Sequence, residues 1–236
     1  MNHCSVEHPE INDPVPILYE NCDEIENEID VILKTGTNEK VKNSPLYGKE
    51  IRTLIGKAWL GDEIIRVFFQ MLMDMNPQIF AMNISVIPKF RQYGYQAVKH
   101  WTKIVDLFQY SKLFFPMNLG GVHWAMVVVD LQKKAVLFYD SMHYYPAIPY
   151  TRVTLKYLKN VYMDKKKQDF DISMFSSENV RSTPKQLDFY NCGVFMLKYA
   201  ENIARNQEIK FTDENISFLR RCIVYEVSNN EFLHKY

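Results

Sequence analysis

Cysteine is scarce in this chain. Its 236 residues hold four (Cys4, Cys22, Cys192, Cys222), irregularly spaced and with no Cys-x-x-Cys pair. That excludes a disulfide-built scaffold and points to a reducing compartment, where a thiol is free to act as a nucleophile. His3, Cys4, His8 and Cys22 repeat no zinc spacing, so neither a metal nor another cofactor is expected. Eight glycines and ten prolines are too few for a low-complexity or collagen-like chain. The start has no basic segment leading into an apolar one, and no apolar run approaches the ~18 residues that span a bilayer. A secretory signal and a membrane span are therefore not expected. Net charge is lacking too: 28 Lys and Arg balance 28 Asp and Glu, without the basic excess of a nucleic-acid binder. One absence is local. Residues 1–33 contain nine acids and no Lys or Arg, leaving the remainder with 28 bases against 19 acids.

What is present is enough for a core, with 47% apolar and 14% aromatic residues. Residues 1–45 are acidic, carry four prolines and are weakly periodic, and are expected to form a leader with little fixed order. Residues 46–236 are patterned as one domain. Asp62–Met75 has helical spacing (Ile64, Ile65, Phe68, Phe69, Leu72), with acids at its start and Pro77 after its end. Ile79–Ile87 reads as a strand ended by Pro88, and Tyr95–Phe108 as a second helix. Lys112–Leu119, Trp124–Asp130 and Ala135–Asp140 are short β-branched and aromatic runs, the last two joined by the polar turn Gln132-Lys133-Lys134 as a hairpin. Further helices are expected at Thr151–Met163, Cys192–Asn206 and Thr212–Val227, and a short strand at Ile172–Phe175. Helices around a central, mainly antiparallel sheet make an α+β fold.

Three segments carry chemistry. Gly120-Gly121-Val122-His123-Trp124 delivers a histidine to the start of a buried strand. Phe138-Tyr139-Asp140-Ser141 places a carboxylate at the end of its hairpin partner. Gln186-Leu187-Asp188-Phe189-Tyr190-Asn191-Cys192-Gly193 places a thiol at the start of a helix, where free N–H groups and the positive dipole end stabilise a thiolate. Gly193 would let backbone approach a substrate. A thiol needs an imidazole, and the imidazole an acceptor that fixes its tautomer. The order is His, Asp, Gln, Cys, with intervals of 17, 46 and 6 residues. Cys222, among Leu219, Ile223 and Val224, reads instead as a small buried hydrophobe.

This set resembles the ubiquitin-like-protein-specific cysteine proteases of the Ulp and sentrin-specific type, peptidase family C48. They are recognised by His-Trp at a strand start, aromatic-Asp-Ser at the next strand end, and Gln six residues before Asp-Cys-Gly. Trp59-Leu60-Gly61-Asp62-Glu63 is similar to the family's Trp-Leu-Asn-Asp-Glu, Gly94–Trp101 to its second helix, and Ile209–Glu226 to its last. The likeness spans roughly residues 45–230. It implies a papain-like fold of the Ulp type, an exposed thiolate at Cys192 as nucleophile, His123 as base and then acid, Asp140 as orienting carboxylate and Gln186 as oxyanion donor. It further implies that Trp124 and Trp59 line a channel for a Gly-Gly tail and that Asp62 contacts the modifier. The implied partners are a SUMO-like modifier and its conjugates, acted on by a monomer in nucleus or cytoplasm, by both isopeptide cleavage and precursor maturation. The same chemistry on NEDD8 or ubiquitin, and Cys-dependent acetyl transfer, stay open as alternatives. Two residues depart from the pattern: Asn191 stands where the family has Asp, and Gly61 where it has Asn.

Overall fold

The structure is a computed structural model that describes residues 22–233. In chain order it runs α1 (Cys22–Leu33), α2 (Gly48–Ile51), α3 (Asp62–Met75), β1 (Ile79–Ala81), α4 (Val86–Tyr93), β2 (Lys112–Leu119), β3 (His123–Asp130), β4 (Ala135–Tyr139), α5 (Ile148–Lys166), β5 (Ser176–Val180), α6 (Cys192–Ala204) and α7 (Ile216–Asn229). The five strands form one sheet in sequence order. Its centre, β2–β3–β4, is antiparallel, and both edge pairs, β1–β2 and β4–β5, are parallel.

β3 is buried along its whole length, because helices cover both faces of the sheet. Its alternation sorts the core into two halves. Trp124, Met126 and Val128 pack with α3, α6 and α7, while Ala125, Val127 and Val129 pack with α4 and α5. The hairpin expected around Gln132–Lys134 is present, with Asp130 paired to Ala135 and Met126 to Tyr139.

Several expectations are corrected. Only Ile79–Ala81 of the segment 79–87 is strand. Pro88 does not end it but is the third residue of α4, a position whose N–H has no intrahelical partner, so proline costs little there. Tyr95–Phe108 is not a helix but three separate 3₁₀ turns, and Ile104 between them is 93% exposed. The Lys165 ammonium donates to the carbonyls of Lys103 (3.4 Å) and Val105 (2.6 Å), which a continuous helix would use itself. Ile172–Met174 is a 3₁₀ turn, and the strand follows it as β5. The helix expected from Thr212 begins as a 3₁₀ turn whose capping box pairs Thr212 with Asn215, and α7 follows it.

Residues 22–45 are also more ordered than expected. α1 buries Ile29 in the core, worth about 1.5–3 kcal/mol. Its acidic face meets α7: Arg221 donates to Glu26 (2.7 Å) and Asp30 (2.9 Å), and Asn229 to Glu28 (2.9 Å). Ser44 Oγ donates to Val227 O at 2.6 Å. Residues 1–21, with His3, Cys4 and His8, lie outside the described residues.

Candidate active site

The site forms where β3, β4 and α6 begin or end together. Gly120 and Gly121 take left-handed φ values of +65° and +79° between β2 and β3, a turn that other residues adopt only with strain. It sets His123 opposite Leu119 at the first rung of β3. Asp140 follows the last residue of β4 directly, so the hairpin register brings carboxylate and imidazole to one end of the sheet.

Asp140 is fully buried and fully occupied. Its Oδ1 accepts from His123 Nε2 at 2.7 Å and from Met142 N–H at 3.0 Å. Its Oδ2 accepts from the N–H groups of Tyr144 and Tyr145, each at 2.8 Å. Burial opposes the carboxylate, but His123 and these N–H groups outweigh it and hold the group below its usual range. Because a carboxylate only accepts, His123 Nε2 carries a proton toward Asp140. The Tyr145 ring stacks on the imidazole at 5.3 Å, nearly parallel.

Cys192 is the first residue of α6, and it stands near enough to His123 to act on the imidazole's charge. The Trp124 N–H donates to its sulfur at 3.4 Å. Burial lowers the imidazole's pKa, but the hydrogen bonds and negative charges of Asp140 and Cys192 outweigh it and raise it to about 9. His123 is therefore an imidazolium at neutral pH. A helix N-terminus, a backbone donor and the imidazole thus converge on one sulfur.

Cys192 is 2% exposed, so the expectation of an exposed thiolate is corrected. Leu60 packs against the neighbouring Gly193. A Cβ on Gly193 would stand 2.9 Å from three Leu60 side-chain atoms, so this glycine admits a close approach of Leu60 rather than of substrate. Trp124 is 4% exposed, and its indole N–H donates to Leu60 O at 3.0 Å, pinning that residue. Trp59 is 48% exposed at the surface and donates to Phe189 O at 3.0 Å. Asp62 is exposed at the first turn of α3, immediately after Gly61.

Gln186 is buried one link from the triad. Its Oε1 accepts from Ser141 Oγ at 2.7 Å, and its Nε2 donates to Asp188. Asn191 accepts from the buried Arg220 Nε at 2.6 Å. Arg220 also reaches the carbonyls of Thr53, Ala58 and Tyr190, so one guanidinium ties α7, the segment before Trp59 and the loop before Cys192. Ser141, Asp188 and Arg220 were missed by sequence reasoning. Only Ser141, inside the aromatic-Asp-Ser motif, carried a signal that might have found it. Among the described residues no group of three or more His, Cys, Asp or Glu is placed to hold a metal ion.

Residues 60–231 match the model of the Ulp1 protease family, C-terminal catalytic domain. The chain is 30% identical over 227 residues to human sentrin-specific protease 2, covering 92% of this chain and 38% of that protein. It is 33% identical over 193 residues to a sentrin-specific protease of Caenorhabditis elegans, covering 78% and 27%. The chain thus spans well under half the length of these relatives. Its fold matches the C-terminal Ulp1 protease domain solved in complex with Smt3, the yeast orthologue of SUMO, with a TM-score of 0.77 at 23% identity, over 91% of this chain and 98% of that one.

Proposed function

The chain belongs to the Ulp1 protease family, and from that premise we propose that it is a cysteine protease that cleaves after the C-terminal Gly-Gly of a SUMO-type modifier. It would release the modifier from target lysines and trim its precursors. The observation that carries this reading is the Cys192–His123–Asp140 constellation, with the thiol at a helix start and the imidazolium held by a buried carboxylate. The relatives named sentrin-specific proteases supply the substrate class.

The geometry fits the chemistry step by step. The Cys192 thiolate attacks the carbonyl carbon of the terminal glycine. His123 gives its proton to the leaving lysine amine, then takes one from the water that hydrolyses the thioester. Asp140 keeps the imidazole oriented and its cation stabilised. The tetrahedral oxyanion is met by the Cys192 N–H and the Gln186 amide, each such donor being worth about 3 kcal/mol of barrier. Trp59 and the Leu60 backbone, pinned by Trp124, border the approach to the thiol. A tail with no side chains suits a sulfur this deeply covered. Asp62, exposed beside them, is placed to meet the modifier's body.

Hydrolysis of the C-terminal aminomethylcoumarin amides of SUMO, NEDD8 and ubiquitin tests the reading. Turnover of SUMO alone, lost in Cys192→Ala, is expected. Turnover of NEDD8 or ubiquitin without SUMO would move the substrate class, and no turnover of any would overturn the activity.

A further inference from the structure

Resting on the reading above, we propose that Asp188 is the positioning residue of the oxyanion side. Its carboxylate orients the Gln186 amide and the backbone entering Cys192, and it stands across Asn191 as the counter-charge to Arg220.

One oxygen, Oδ1, accepts from Gln186 Nε2, Tyr190 N–H and Asn191 N–H, each at 2.9 Å. The other, Oδ2, accepts from the Asn191 side-chain amide. Burial works against this carboxylate, yet those four donors keep it below its ordinary range. Gln186 Nε2 also touches the Asp188 carbonyl at 3.0 Å. One amide N–H can thus turn to an incoming oxyanion while the other stays on the carboxylate.

The directions of these bonds form a code. A carboxylate only accepts and a guanidinium only donates. Arg220 therefore fixes the Asn191 oxygen toward itself and its amide toward Asp188. Asp188 in turn fixes the Gln186 amide toward itself and its oxygen toward Ser141. Arg220, buried, hydrogen-bonds only neutral acceptors (Asn191 and three carbonyls), a costly state for a cation unless an anion stands near. Asp188 is that anion, one carboxamide away. The acid that the family places directly before the nucleophile is here set three residues earlier, and Asn191 bridges the gap.

The code predicts how it breaks. With Asp188→Asn, no rotation of the new amide works. If its nitrogen faces Asn191, two amide nitrogens meet. If it faces the other way, it meets three N–H donors. With Asn191→Asp, two carboxylates abut. With both changes together the pattern closes again: an Asp at 191 accepts from Arg220 and from the Asn at 188, whose oxygen then faces Gln186, Tyr190 and Asn191 N–H.

The test is this double-mutant cycle, run on the full chain with three readouts. The first is kcat and KM on SUMO-aminomethylcoumarin. The second is affinity for an acetyl-Gly-Gly aldehyde, which needs the oxyanion donors. The third is the rate of Cys192 alkylation by iodoacetamide, which does not. Asp188→Asn is expected to lower kcat by about tenfold or more, and aldehyde affinity by a like factor, the scale of a weakened oxyanion donor. KM and the alkylation rate should stay within about twofold, and the double variant should recover most of kcat and of the melting temperature. Wild-type kcat in Asp188→Asn, alkylation falling in step with kcat, or a double variant no better than the worse single would each overturn the proposal. If wild type turns over no modifier, the functional reading fails instead. The melting temperatures of the same four proteins then still decide the hydrogen-bond code, with non-recovery in the double variant overturning it.

Discussion

Cys192 and Cys222 are 2% and 1% exposed, in α6 and α7, and neither is in a disulfide. Burial does not tell them apart; the direction of their hydrogen bonds does. Cys222 sits inside α7 and donates its S–H to the Phe218 carbonyl at 3.0 Å. Cys192 sits at the first residue of α6 and accepts from the Trp124 N–H. A sulfur that donates is part of the packing, and a sulfur that only accepts is prepared to carry charge. Two similarly buried thiols thus differ in their hydrogen-bond roles.

The sharpest way to break this contrast is substitution. Cys192→Ala is expected to cost on the order of 10⁴-fold or more in turnover of a SUMO substrate, whereas Cys222→Ala leaves kcat within about twofold and lowers only the melting temperature. A comparable loss of kcat in both would erase the distinction. Next in size is the coupling of the pair: once Cys192→Ala has been made, adding His123→Ala should cost little more, because the two act as a unit. Additive losses would show independent roles.

Asp140→Asn should cost about 10²–10⁴-fold, less than loss of the thiol, and should move the pH profile. The sign follows from the imidazole. Asp140 and Cys192 hold His123 protonated up to about pH 9, so kcat/KM should fall on a basic limb near that pH. Without the carboxylate the imidazole loses its proton at lower pH, and the limb should shift down. A limb that stays in place would mean that Asp140 does not set the charge of His123.

The same contrast shows what the sequence made legible. β2, β3 and β4, α3 and the start of α6 were readable because each has a clean period and a clear terminator, and these elements bring His123, Asp140 and Cys192 together. Less legible was anything decided by distant parts of the chain. Lys165 takes the carbonyls that would have made a helix after Val98, and Pro88 is absorbed by a helix start. Arg220, 29 residues from Asn191 and 167 from Thr53, carries no periodic signal of its role. The burial of Cys192 was missed for the same reason, since Leu60, held by Trp124 and packed on Gly193, is 132 residues away in the chain. Asn191 read as a departure; the Asp188 carboxylate that accompanies it became visible only through the bonds between them.

The central claim, that the accepting sulfur is the nucleophile, is tested most directly by substoichiometric iodoacetamide at pH 7 on full-length protein carrying Cys4→Ser and Cys22→Ser, with the modified peptides mapped by mass spectrometry. The account predicts label on Cys192 with Cys222 unmodified, and a sharply slower reaction when His123→Ala is added. Label on Cys222 first, or a rate indifferent to His123, would contradict it.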